Sequence, residues 1–325
     1  MNTKTTWEGI PYYPINQYYK SQFGEKVYKI PVSVPGTCPN REGLKGMKVC
    51  VFCDEWGSAA YPENRKFDLL EQVNKNKQIV LKRSKARKFL IYFQAYTYTY
   101  QKVAKLYEYF DQVIKLPEVC GIVVGTRPDC ISDALLDMWN QYAEKTRLFV
   151  EFGVQSFDNQ QLEWMERGHS GEKSIWAIKR VKSLCPKVNL GIHLMFGLPW
   201  ETNQQIIETA KLCSGLPIDN IKLHNTHVLK NTPLELMYKN GAYQPIELKP
   251  YAHRVMLFLQ HLRPDIAIHR LTANSSRRDE LIAPKWTGDK MYSYQFVLDY
   301  LNNQSAFQGQ HHSLKEEKNG SLFFI

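Results

Sequence analysis

Residues 31–61 read PVSVPGTCPNREGLKGMKVCVFCDEWGSAAY, and this stretch decides how the rest of the chain is read. It sets Cys38, Cys50 and Cys53 in a C-x11-C-x2-C arrangement, three of the chain's seven cysteines within sixteen residues. Two thiolates at the shorter spacing reach one metal centre from a single turn of backbone, and the third swings in from the preceding loop. Pro35, Pro39, Gly36, Gly43 and Gly46 suit an irregular segment that bends around something. A structural zinc site wants four Cys or His ligands. No histidine precedes His169, so Cys120 or Cys130 would have to bring the fourth from elsewhere. A [4Fe–4S] cluster normally takes four thiolates. Held by three, it leaves one iron open to a substrate or cofactor, and the aromatic Phe52 directly before the third cysteine points the same way. On the residues by themselves, zinc and iron–sulfur both stand.

Length and composition bound the setting. A chain of 325 residues, 43% of them hydrophobic, is ordinary for an α/β barrel with a sizeable core. Seven unevenly spaced cysteines do not make a disulfide framework, and a reducing cytoplasm is expected. The opening MNTKTTWEGI lacks the apolar stretch of a signal peptide, and no run of about 18 apolar residues predicts a membrane span. The formal net charge of +10 favours a polyanionic partner such as nucleic acid.

Along the chain, strand and helix patterns alternate. Residues 26–34 read as a strand that delivers the chain to the cysteine loop, and residues 62–76 read as a helix. A basic run follows (Lys75, Lys77, Lys82, Arg83, Lys85, Arg87, Lys88). Because it precedes the second strand, it is expected on the face away from strand C-termini. Further strands are expected at 89–94, 120–125, 148–153, 188–196 and 220–226. Helices fall at 101–115, at 132–144 behind the N-cap Ser132, after Asp158, and after Thr202. Asp158 with Gln161, and Thr202 with Gln205, have capping-box spacing. This alternation predicts parallel βαβ units. Past residue 230 the regularity changes: a helix at 250–262, an extra strand at 266–271 and a helix at 289–302 read as an extension that covers the open side.

The cysteine loop resembles that of the radical S-adenosylmethionine (SAM) enzymes. FGEKVYKI, TCPNREG and CVFC together are similar to the YhcC-like group, akin to the Elongator catalytic subunit, over nearly the whole chain. The usual loop of those enzymes is C-x3-C-x2-C, and the longer first gap is a trait of this group. The resemblance implies an α/β fold, a partial (β/α)6 TIM-like barrel with a C-terminal α/β extension. The N-terminal segment 1–25 would pack on a core of 26–230, with the extension at 231–310 and a tail at 311–325. It implies a [4Fe–4S] cluster on Cys38, Cys50 and Cys53, and SAM as cofactor. Backbone groups of Gln94, Ala95 and Tyr96 would meet the methionyl amino group, Arg167 its carboxylate, and Gln155 the ribose. Leu198 and Pro199 would lie in a turn against the adenine. His193 stands where relatives often carry an acidic residue, so its role is open between ribose, substrate and structure.

Barrel enzymes place their chemistry at strand C-termini, where all these residues are expected to gather. Tyr96, His224 and Cys213 are the candidates for general acid or base, and His224 and His227 could face the pocket together. By analogy the substrate is tRNA at its wobble uridine, with a flavodoxin or ferredoxin as electron donor. A protein or small metabolite as substrate, and a zinc-stabilised nucleic-acid-binding protein without catalysis, are the alternatives.

Overall fold

A computed structural model describes residues 7–312 apart from Ser58, Arg83 and Ser276, so most of the expected tail and one member of the basic run lie outside the described residues. The predicted alternation is present. Helix α1 (Ile15–Phe23) precedes β1 (Val27–Val32), followed by α2 (Leu69–Leu81), β2 (Lys88–Phe93), α3 (Val103–Val113) and β3 (Val119–Thr126). Then come α4 (Asp133–Lys145), β4 (Arg147–Gln155), α5 (Asn159–Trp164), α6 (Gly171–Leu184), β5 (Asn189–Phe196), α7 (Asn203–Gly215) and β6 (Asn220–Asn225). The remainder holds β7 (Val228–Leu229), α8 (Pro233–Lys239), α9 (Leu248–His261), β8 (Ala267–Ile268), β9 (Leu281–Ala283) and α10 (Lys290–Asn303).

Strands β1 to β6 pair in sequence order, all parallel, and β8 adds in parallel beside β6. The sheet curls into a partial barrel: Lys29 of β1 pairs with Glu151 of β4 and reaches within 3.3 Å of His269, just past β8. Strands β1 and β8 do not pair with each other. The N-terminal segment spans that seam, with Ile268 donating its N–H to the Tyr13 carbonyl at 2.7 Å. Gln308 clasps the same segment, accepting from the Tyr13 N–H at 2.9 Å and donating its own N–H to the Pro11 carbonyl at 2.8 Å.

Period-two alternation sorts each strand into two faces. Outward residues such as Ile30, Ile91, Val124, Val150, Ile192 and Leu223 pack under the helices in the main core. Inward residues stack in layers. The lowest is apolar (Val27, Leu90, Phe149, Ala267) and is sealed from below by Ile15 and Tyr19 of α1. The next layer is charged. Above it, at the strand C-termini, the barrel opens.

Three local expectations are corrected. The helix expected at 62–76 is a 3-10 turn over Pro62–Lys66, and α2 starts only at Leu69, because Asp68 and Glu71 form a capping box there. At α5 only half of the box exists: Asp158 accepts from the Gln161 N–H, but the Gln161 side chain accepts from Ser156 Oγ at 2.6 Å instead. The strand expected at 266–271 is two residues long, because past Ile268 the chain turns His269 and Arg270 toward the barrel interior. The basic run does lie away from the open end: Lys88 begins β2 and pairs with Glu25 below the barrel, while Lys77 pairs with Glu118 on the flank.

Candidate active site

The cysteine loop is fastened to the ends of β3 and β4 by polar side chains. Asn40 donates to the Lys48 carbonyl at 2.6 Å and to the Glu166 carbonyl at 2.5 Å. Arg127, just past β3, donates to Asn40 Oδ1 and to the Arg167 carbonyl at 2.7 Å, and Asp129 pairs with it at 2.8 Å. The Val51 N–H bonds to the Met165 carbonyl, and the Val51 carbonyl accepts from the Leu234 N–H at 2.8 Å. Two guanidiniums face the sulfurs. Arg167 Nη1 lies 3.3 Å from Cys50 Sγ, and Arg41 Nη2 lies 3.7 Å from Cys53 Sγ while also bonding the Asp54 carbonyl. Burial pushes the Cys53 thiol up to about 12, with the neighbouring Cys50 adding to it and Arg41 opposing. At Gly57 the backbone has φ +58°, and a Cβ there would stand 2.2 Å from the Tyr96 ring, so the loop can close over that ring only with glycine.

The three thiols border a cavity of about 390 Å³ at the open end of the barrel. Among the described residues no three His, Cys, Asp or Glu side chains converge tightly enough to share a single ion. Gln94, Tyr96, Gln155, Arg167, His193, His224 and His227 all line the cavity, as the sequence predicts. Arg167 is 7% exposed. Its Nη2 donates to the Gly153 carbonyl at 2.7 Å, and its Nε has no partner. Gly153 makes this crowding possible, since a Cβ there would meet Gln155 Nε2 at 2.9 Å and Arg167 Nη2 at 3.4 Å.

Four expectations change. Cys213 is fully buried on α7 in the main core, with Ile206 and Ala210 on the same helix face, and reaches no cavity. Leu198 packs with Val51, Leu162 and Met165 in a second apolar cluster that backs the cysteine loop, and does not line the cavity. Ala95 is buried and likewise outside the lining, between Gln94 and Tyr96, which are in it. Tyr96 has its hydroxyl committed, donating to the Glu55 carbonyl at 2.7 Å and accepting from Arg65 at 2.9 Å. It is a strut for the loop.

The charged layer forms the cavity floor, and sequence reading missed most of it. Glu151 is its centre. It takes Lys29, Lys222 at 3.3 Å, the Tyr92 hydroxyl at 2.9 Å and His193 Nε2 at 2.8 Å. Lys222 also donates to the Tyr92 hydroxyl at 3.1 Å. Despite burial, the surrounding cations led by Lys222 and Lys29 hold the Glu151 carboxyl well below the usual range. Burial first, then Lys222, brings His193 down to about 4, and burial with Arg270 keeps His224 neutral. The two rings lie 5.1 Å apart. His193 therefore joins the floor network while also lining the cavity.

A sequence model of the Radical SAM superfamily matches residues 32–213, more than half of the chain. This chain belongs to the radical SAM superfamily. A model of the Radical_SAM C-terminal domain matches residues 218–303 of the same radical SAM chain. It is 30% identical over 307 residues to the uncharacterized protein YtqA of Bacillus subtilis, covering 94% of each. To protein YhcC of Escherichia coli it is 30% identical over 291 residues, covering 89% of this chain and 91% of that one. The solved structure of archaeal Methanocaldococcus infernus Elp3 with an N-terminus deletion superposes with a TM-score of 0.66 at 18% identity, over 87% of this chain and 64% of that chain. A shorter stretch of 145 residues is 31% identical to the tRNA uridine(34) acetyltransferase of Methanocaldococcus jannaschii, 42% of this chain and 26% of that protein.

Radical SAM enzymes bind a [4Fe–4S] cluster and SAM, and the radical SAM reading sets aside zinc as the resident metal. The residues present fit these groups. Three thiols edge one cavity, two guanidiniums stand against the sulfurs, and Arg167 retains an unpartnered buried Nε. Asn40 lies within TCPNREG, but nothing in that motif or around Arg127 discloses that the two anchor the loop together. Their signal exists only once β3 and β4 are neighbours. No described helix is long and apolar enough to cross a membrane.

Proposed function

We propose that Cys38, Cys50 and Cys53 hold the [4Fe–4S] cluster at the cavity edge, and that the enzyme uses it to modify tRNA at the wobble uridine. The placement of all three thiols on one cavity lip, with Arg167 at Cys50, is the observation that carries the first half. When bound, cluster and SAM together supply a 5′-deoxyadenosyl radical that abstracts hydrogen from the substrate. The chain positions and shields. Arg167 offers the carboxylate of SAM its guanidinium fork, Gln155 faces the ribose, and the backbone at Gln94 and Tyr96 receives the amino group. The floor network fixes the cavity's lower limit and keeps water from the reacting carbon.

The tRNA assignment is supported by the +10 charge and by the partial likeness to a tRNA uridine(34) acetyltransferase. An electron donor of the flavodoxin or ferredoxin kind completes the cycle. Anaerobic reconstitution with iron and sulfide should give brown protein that releases 5′-deoxyadenosine from SAM under dithionite. Changing any one of Cys38, Cys50 and Cys53 to Ala should lower that release by at least two orders of magnitude, and undiminished release would refute the ligand assignment. Comparing modified nucleosides in tRNA from cells with and without the gene tests the substrate. Identical nucleoside profiles would rule tRNA out.

A further inference from the structure

The charges on the cavity floor do not balance. Lys29 and Lys222 share one carboxylate, that of Glu151, and Arg270 beside them pairs with no acidic side chain among the described residues. Arg270 is turned into the cavity. Its Nε donates to the Leu223 carbonyl at 3.3 Å, its Nη2 lies 2.7 Å from His224 Nδ1, and its Nη1 has no protein partner among the described residues. With the histidines neutral and Lys222 charged, as it is below about pH 7, three cations face one anion in an enclosed layer, an arrangement that is costly unless another negative group enters. A second observation points the same way. Asn225 is 1% exposed and, like Arg270, lines the cavity. Its Oδ1 accepts the Ala273 N–H at 2.8 Å, while its buried Nδ2 has no acceptor among the described residues.

We infer that Arg270, Lys222 and Asn225 form an anion-binding subsite, at the end of β6 and the turn after β8, that takes a carboxylate or phosphate group of the substrate. It is separate from the place proposed for the carboxylate of SAM, because Arg167 follows β4 and lies at Cys50, whereas Arg270 follows β8, three strands along the sheet. The subsite therefore selects substrates that carry an anionic group near the carbon that loses hydrogen. The inference rests on reading this cavity as the reaction chamber, and not on tRNA as the substrate.

The test is calorimetric titration of the full chain, reconstituted and saturated with SAM, with inorganic phosphate, acetate, uridine and uridine 5′-monophosphate as probes. One anion should bind at a single saturable site with a Kd in the millimolar range or tighter, about 4 kcal/mol or more. Stronger binding of phosphate and the nucleotide marks a nucleotide phosphate as the source. Stronger binding of acetate marks a substrate carboxylate. Asn225→Asp keeps the acceptor for Ala273 and replaces the free donor with an oxygen, so affinity should fall at least roughly tenfold, as it should in Arg270→Gln. Melting curves establish that both variants fold. No saturable anion binding, equal affinity in folded variants, or displacement of the anion by SAM would each overturn the inference. Since binding is read directly, a negative tRNA result leaves this measurement standing.

Discussion

Lys222 is faced by Glu151 from β4, Lys29 from β1, Tyr92 from β2, His193 from β5 and Arg270 from beyond β8. Burial is the largest influence on it and brings its ammonium down to about 7, with Glu151 pulling upward and Arg270 and Lys29 downward. The sign follows directly: Lys222 is charged below pH 7 and neutral above. Affinity for an anion on the floor should then be highest near pH 6 and decline through pH 8, and Lys222→Met should flatten that profile. Calorimetry across this range checks it, and an affinity that rises with pH contradicts the assignment. Nothing in KLHNTH marks the lysine over the two histidines. Sequence favoured His224 because unperturbed imidazole titrates near neutrality, yet in the folded barrel burial gives that property to the lysine.

At the level of strands and helices, what repeats locally was readable. Ser132 and Thr202 cap the helices they were expected to cap, and β1 to β6 fall where apolar runs lie. The face of α7 was readable too, since Ile206, Ala210 and Cys213 recur at helical spacing and mark a core stripe. What no strand discloses alone is its inward layer. Glu151 sits in an otherwise apolar run, and its meaning depends on Lys29, 122 residues earlier, and on Lys222, 71 residues later. Glu151→Gln strips the shared counter-charge from both ammoniums and should cost about 3–5 kcal/mol at pH 7. Because its folded carboxyl is depressed, this contribution is full above the ordinary value of 4.5 and fades as pH falls below it. Urea denaturation should therefore show the gap between variant and native protein narrowing in acid. A gap that widens there would mean Glu151 is not the stabilising anion.

On the scale of the whole molecule, the region past β6 is part of the site. Arg277 pairs with Asp54 next to the last cysteine and with Glu280 at 2.7 Å, and Leu234 holds Val51, so the cysteine loop is gripped at two points by the region past β6. Sequence indicated a cover over the open side but not this grip, which is made between residues far apart in the chain. The clasp of Tyr13 and Pro11 by Gln308 spans 295 residues. On a ribosome moving at 5–20 residues per second, that interval lasts roughly 15–60 s, during which the seam between β1 and β8 stands open. Ribosome-bound chains halted short of Gln308 should be cut by protease within residues 7–25, and protection there would mean that the segment docks without its clasp.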